Sequence, residues 1–217
     1  MHTIEFWFDF GSNYSYLSMM RIQRLAREAG LRVALKPFML GPIFKSLRWE
    51  TSPFVLQTMK GNYVWRDMQR QCGKYGLRWQ HPSVFPRNAL LASRVALQGE
   101  GEPWLAGFCE QVMLANFADD REIGDEAVIA RILAGLGADS AAILAAARTD
   151  ACKAALRART AEAQARGMFG APMFFVGDEM YWGNDRLDDA LEHARTGMPA
   201  SSMDMHPGFH LQSKPSV

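Results

Sequence analysis

The chain has 217 residues, 48% hydrophobic and 22% charged, enough apolar material to bury a substantial core in one large domain or two closely packed ones. A formal net charge of +1 argues against nucleic acid or a polyanionic surface as a partner. The start MHTIEFWFDF lacks the basic, apolar and small-residue order of a secretory leader, and no run approaches the length that spans a bilayer, so the expectation is a cytoplasmic protein with no membrane partner.

Residues 4–10 form an apolar, β-favouring run broken only by Glu5 and Asp9, which fits a buried strand. Gly11-Ser12-Asn13 stops it. From Tyr14 the pattern turns helical, with Leu17, Met20, Leu25 and Ala29 at helical spacing and Gly30 as the stop, and residues 31–37 read as a second strand. A long stretch of helical character follows, with helices predicted over 62–75, 86–98, 103–118, 125–136 and 141–166, separated by glycine-rich breaks. No internal repeat is visible.

The last folded segment reads GMFGAPMFFVGDEMYWGNDRL. Ala171-Pro172 leads a strand over 173–176, Gly177-Asp178 makes a tight turn, a second short strand covers 180–182, and Gly183-Asn184-Asp185 opens a helix. Proline has no N–H, so Pro172 belongs at the first position of its strand, and in a tight turn it is a candidate for a cis bond. Strand, helix and strand followed by proline, hairpin and helix is the pattern of a thioredoxin-like α/β fold. Its redox members carry Cys-x-x-Cys at the first strand–helix turn. Here the four residues are Ser12, Asn13, Tyr14 and Ser15, which excludes disulfide exchange at that spot. Cys72, Cys109 and Cys152 are too far apart for a ligand motif, and each sits among apolar neighbours, so they read as packing residues. No His, Cys or carboxylate cluster has metal-ligand spacing, and no metal is expected. His81 reads as a loop residue, and Asp119-Asp120 and Asp188-Asp189 as solvated helix-end charges.

Three segments in order, FDFGSNYSYL, FPRNALLASRVAL and FGAPMFFVGDEMYWGNDRL, resemble the 2-hydroxychromene-2-carboxylate isomerase family, whose relatives are the kappa-class glutathione transferases and the DsbA-like oxidoreductases. The resemblance runs from about residue 4 to about residue 191. It implies a thioredoxin-like domain made of residues 1–40 and 140–197, a large all-helical domain inserted over 41–139, and a flexible tail over 198–217. It also implies glutathione as cofactor, a small aromatic 2-oxo or 2-hydroxy carboxylate as substrate, and a homodimer. The implied reaction interconverts 2-hydroxychromene-2-carboxylate and trans-o-hydroxybenzylidenepyruvate. A kappa-type transferase or peroxidase, and a non-catalytic thioredoxin-like binding protein, are the competing readings.

Residue roles follow from the same resemblance. Ser12 stands before the first turn of a helix, where unpaired N–H groups favour negative charge. Its hydroxyl can cap the helix or, as the resemblance implies, donate to the glutathione sulfur and favour thiolate, which makes it the expected catalytic residue. Asn184 and Asp185 are expected at the γ-glutamyl end, where a plain helix cap is the alternative. The backbone of Ala171, before Pro172, is expected to pair with the cysteinyl part as an added strand. Lys60 matches a lysine that contacts the glycine carboxylate. Phe44, Trp49, Phe54, Trp65 and Trp182 are candidates to clasp the aromatic substrate, foremost Phe44, Trp49 and Trp182, with one or two of the five expected to touch it and the others to fill the core. Two departures stand out: Asn13 where the family commonly has proline, and no asparagine shortly before Lys60.

Overall fold

The computed structural model describes residues 2–197, so the expected tail over 198–217 lies outside the described residues. Strand β1 (Thr3–Phe8) is followed by helix α1 (Asn13–Glu28) and strand β2 (Arg32–Pro37). Helices α2 (Leu40–Ser46), α3 (Pro53–Leu56), α4 (Thr58–Tyr75), α5 (Leu90–Gln98), α6 (Leu105–Phe117), α7 (Glu126–Gly135), α8 (Ser140–Arg148) and α9 (Asp150–Ala165) come next. The hairpin β3 (Met173–Val176) and β4 (Glu179–Trp182), a short 3₁₀ turn (Asn184–Arg186) and α10 (Leu187–Thr196) end the described chain. No helix among the described residues is long and apolar enough to cross a membrane.

The sheet has the order β2-β1-β3-β4. β1 is parallel to β2 and antiparallel to β3, with Phe6 opposite Leu35 on one side and Phe174 on the other. Successive side chains of a strand point to opposite faces, and both faces here are covered. Ile4, Phe6, Phe8 and Phe174 join one large core with Leu17 and Ile22 of α1, Leu187 and Leu191 of α10, and Phe108, Val112 and Met113 of α6. Trp7, Met173 and Phe175 face the other way, onto Phe38, Ile43, Ala163 and Met168. A strand buried on both faces is apolar at nearly every position, which is why β1 reads as a continuous run. This is the DsbA-like thioredoxin fold that the sequence pattern predicts.

Several elements differ from expectation for local reasons. β1 stops at Phe8, because the Asp9 carboxylate turns inward and accepts the backbone N–H groups of Gly11 and Leu40, both at 2.7 Å. The predicted helix over 141–166 is two helices. Thr149 leaves helical geometry (φ −63°, ψ 152°) and its hydroxyl accepts the Cys152 N–H at 3.2 Å, capping α9. Residues 86–89 lie outside α5, and α2 and α3 occupy a segment without a predicted element. In α3, Ser52 caps and Pro53 takes the first position, the one helical site where a missing N–H costs nothing.

Replacing Thr149 with alanine removes the α9 cap and leaves the Cys152 N–H unpaired. Urea or guanidinium unfolding should register a loss of about 1 kcal/mol.

Candidate functional site

A cleft of about 1010 Å³ opens where the head of α1 meets the loop before β3. Its floor is the β1–α1 loop. One wall is α2 to α4, the other is formed by residues 169–171 and 182–186, and the back is the loop around Pro86.

The floor is built around Asp9 and Ser12. With both Asp9 oxygens on backbone N–H groups, the loop is pinned from inside; burial pushes this carboxyl up, and the two N–H donors oppose that. Ser12 has extended backbone (φ −90°, ψ 116°) and its Oγ accepts the Ser15 N–H at 3.2 Å. The same hydroxyl donates to the Ala171 carbonyl at 3.2 Å, across the cleft floor and 159 residues away in sequence. The capping role is therefore realised, and the hydroxyl proton also faces the Ala171 edge. The Ala171–Pro172 bond is cis, in accord with the sequence pattern. Ser15 is fully buried and its hydroxyl has no partner among the described residues.

A support not foreseen from sequence lies behind this loop. Arg87, in the FPRN segment after a second cis proline bond at Phe85–Pro86, is 6% exposed and donates to the backbone and side-chain oxygens of Asn116. Asn116 Nδ2 in turn donates to the Phe10 carbonyl at 2.9 Å. Gly11 packs against this support: an added Cβ would lie 3.3 Å from the Arg87 carbonyl oxygen. Arg87 also pairs with Asp120, which is thus not a solvated helix-end charge, and Asp119 pairs with Arg78. The FPRN motif was visible in the sequence; the partnership with Asn116 had no sequence signal.

At the opposite end, Gly183 (φ 105°) takes a left-handed conformation and donates its N–H to the Pro172 carbonyl at 3.0 Å. Asn184, 6% exposed, has its Oδ1 engaged by Ser18 Oγ and Arg21 Nη1, both at 3.2 Å. Asp188 is tied to Arg21 as well, and Asp189 to Arg186. Asp185 points outward, with its side chain 74% exposed and Arg186 3.4 Å away. Lys60 stands on the first turn of α4 beside the Phe54 ring and has no carboxylate partner among the described residues. Asp67, further along the same helix face, accepts the Tyr14 hydroxyl at 2.8 Å and so ties α4 to α1. Burial, then Asp67, pushes the Tyr14 phenol well above its ordinary range.

Phe44 and Trp49 pack together at 5.7 Å on one wall, and Trp182 faces Phe169 at 4.8 Å on the other. All of these line the cleft, as does Phe54. Trp65 does not; it packs in a cluster with Trp79, His81 and Phe85. The three cysteines are buried and unbridged, and burial pushes the Cys72 thiol up to about 12 and Cys109 well above the ordinary range, so neither offers a nucleophile. The structure therefore brings Ser12, Lys60, Ala171, Asn184, Asp185, Phe44, Trp49 and Trp182 to one cleft, with Pro172 shaping its floor.

A family model described as a DSBA-like thioredoxin domain matches residues 3–194. A 2-hydroxychromene-2-carboxylate isomerase from Sphingobium xenophagum is 29% identical over 189 residues, covering 86% of this chain and 94% of that protein. One from Pseudomonas putida is 30% identical over 196 residues, 85% of this chain and 90% of that protein. A solved structure of 2-hydroxychromene-2-carboxylate isomerase superposes with a TM-score of 0.79 at 27% identity, covering 86% of this chain and 91% of that one.

The Arg87–Asp120 pair yields a pH prediction. The guanidinium, followed by the Ser83 N–H, holds the Asp120 carboxyl at about 2. Its folded value is depressed, so its contribution to stability is present above the ordinary carboxylate range near 4 and is lost as pH falls toward about 2. Thermal melts of wild type and Asp120→Asn from pH 6 to 2 should converge at the acid end, with the wild type more stable above about pH 4.

Proposed function

This chain belongs to the 2-hydroxychromene-2-carboxylate isomerase family of DSBA-like thioredoxin proteins, and we propose that it is a glutathione-dependent isomerase. Its proposed reaction interconverts 2-hydroxychromene-2-carboxylate and trans-o-hydroxybenzylidenepyruvate, or a similar aromatic-degradation intermediate. The observation that carries the reading is a serine hydroxyl, in place of a cysteine, at the helix head beside the cis-proline edge of an aromatic-walled cleft.

The donors and acceptors present fit the tripeptide. Ser12 and the helix head meet the sulfur; the Ala171 backbone meets the cysteinyl amide; Lys60, without a carboxylate partner among the described residues, meets the glycine carboxylate; Asp185 meets the γ-glutamyl ammonium. Asn184 acts mainly through its backbone and Nδ2, because its oxygen is committed to Ser18 and Arg21. When bound, glutathione supplies a thiolate whose reversible addition to the conjugated alkene permits rotation about that bond and restores the cofactor afterwards.

The chain's own part is to hold that thiolate and orient the acceptor. A serine hydroxyl has one proton to give. In donating it to sulfur, Ser12 releases the Ala171 carbonyl, which becomes free to accept an N–H from the ligand backbone. One hydroxyl rotation thereby prepares both contacts. Phe44, Trp49 and Trp182 clasp the flat substrate and exclude water from the reacting bond. The proposal includes a cytoplasmic location and a homodimer, and the exposed apolar side chains Leu56 and Met59 on α3 and α4 support the homodimer.

Incubating the protein with the chromene substrate, with and without glutathione, tests the activity. Turnover without net loss of glutathione is expected. Loss of glutathione would instead indicate a kappa-type transferase, and the absence of both a binding module.

For Ser12→Ala the fold should persist while the bound thiol becomes less acidic. A hydrogen bond to a charged acceptor contributes roughly 1.5–3 kcal/mol, so its pKa should rise by about one to two units, read from thiolate absorbance during titration.

Asp185→Asn probes the other end. The side chain is mostly exposed and shares Arg186, so screening limits the effect to roughly 1 kcal/mol, or several-fold in glutathione affinity. Turnover at saturating glutathione should stay near wild type, and saturation kinetics separate the two effects.

A further inference from the structure

Asn13 lines the cleft at the first position of α1, directly after the capping Ser12. It is 1% exposed, yet its Nδ2 has no hydrogen-bond partner among the described residues. The loop around it is held without its help. Asp9 takes the Gly11 N–H, Asn116 takes the Phe10 carbonyl, and Ser12 takes the Ser15 N–H, so the cap position is already filled. A buried amide donor with no acceptor is unfavourable in the folded protein, and at a cleft-lining position an acceptor brought by a ligand would satisfy it.

The chemistry of the missing partner can be read from its neighbours. The first backbone N–H groups of α1 have no helical acceptor, and the Ser12 hydroxyl is a movable donor. The nearby acid in the floor, Asp9, has both oxygens occupied by backbone. The Asn13 Nδ2, the Ser12 hydroxyl and the first backbone N–H groups of α1 are all donors, and one anionic acceptor satisfies them together.

We infer that the Asn13 side-chain amide donates a hydrogen bond to the sulfur of the bound thiol, so that the thiolate is held by two side-chain donors, Ser12 and Asn13. This rests on the glutathione reading above and adds a residue to it. Proline, common at this position in the resembling family, has no donor to offer, so the second donor is a property of this chain. With the thiol proton released to solvent, the amide lowers the thiol's pKa without taking part in proton transfer.

Glutathione itself is the probe. Thiolate absorbance is titrated at saturating glutathione, affinity is measured by calorimetry, and thermal melting is followed without ligand, for wild type, Asn13→Ala and Asn13→Asp. Alanine should leave the melting temperature unchanged or higher and raise the pKa of the bound thiol by about one unit, about tenfold less thiolate at a given pH. Aspartate keeps the shape but sets a carboxylate against the sulfur, so it should raise the pKa further and weaken binding, and it carries the test if alanine fails to fold. A bound thiol that titrates as in wild type in the folded variants overturns the inference while leaving the glutathione reading intact. Wild-type protein that binds no glutathione overturns both.

Discussion

The antiparallel pairing of Glu5, Phe6 and Trp7 with Phe175, Phe174 and Met173 is the constraint on which the cleft depends. β1 delivers the chain to Ser12 at its C-terminal end, and β3 starts from Pro172, so pairing the two strands sets the head of α1 against the Ala171 edge. The pairing is secured on both faces. Phe6 stacks on Phe174 at 5.2 Å on one, and Trp7 meets Phe175 edge-on at 6.4 Å on the other. A slip of one residue would exchange the two faces and move the Ala171 carbonyl away from Ser12.

Around that pairing the floor of the cleft is polar and buried, which is costly unless every group has a partner. Asp9 answers two backbone N–H groups, and Arg87 and Asn116 form a chain to the Phe10 carbonyl. The hydroxyl of Ser12 bridges to Ala171, a bond that a ligand can replace at little cost because it exchanges one acceptor for another. Asn13 Nδ2 and Ser15 Oγ are left without partners among the described residues. A floor rigid in its backbone and incomplete in its side chains suits a site that binds by supplying the missing acceptor.

The walls follow a different logic. α3 buries none of its residues, and α4 turns Met59 and Tyr63 to the outside while Val64, Met68 and Cys72 face the core. The Tyr14–Asp67 hydrogen bond and the Arg21 guanidinium over the Tyr75 ring tie this wall to α1. The sheet and floor thus carry a wall whose outer part, α3 and the exposed face of α4, buries little surface, the usual division between a scaffold and the part that meets different ligands.

The strands, α1, the hairpin and the cis proline were legible in the sequence because each depends on local chemistry: an unbroken apolar run, a serine before helical spacing, a proline at a strand mouth. The same local signals put Ser12 before the helix and Ala171-Pro172 at the strand mouth, while their roles toward a ligand came from the family resemblance. The break at Thr149 was missed because alanines on both sides continue the helical pattern, and one hydroxyl outweighed it. Asn116 supporting Phe10, Arg21 holding Asn184, and Tyr14 meeting Asp67 could not be read from spacing, since each joins elements 53 to 163 residues apart. The sequence by itself determined the fold class and the chemistry available at the helix head. Only the tertiary structure decided which donors there are already spent and which remain for a ligand, because that depends on acceptors brought in from the far end of the chain.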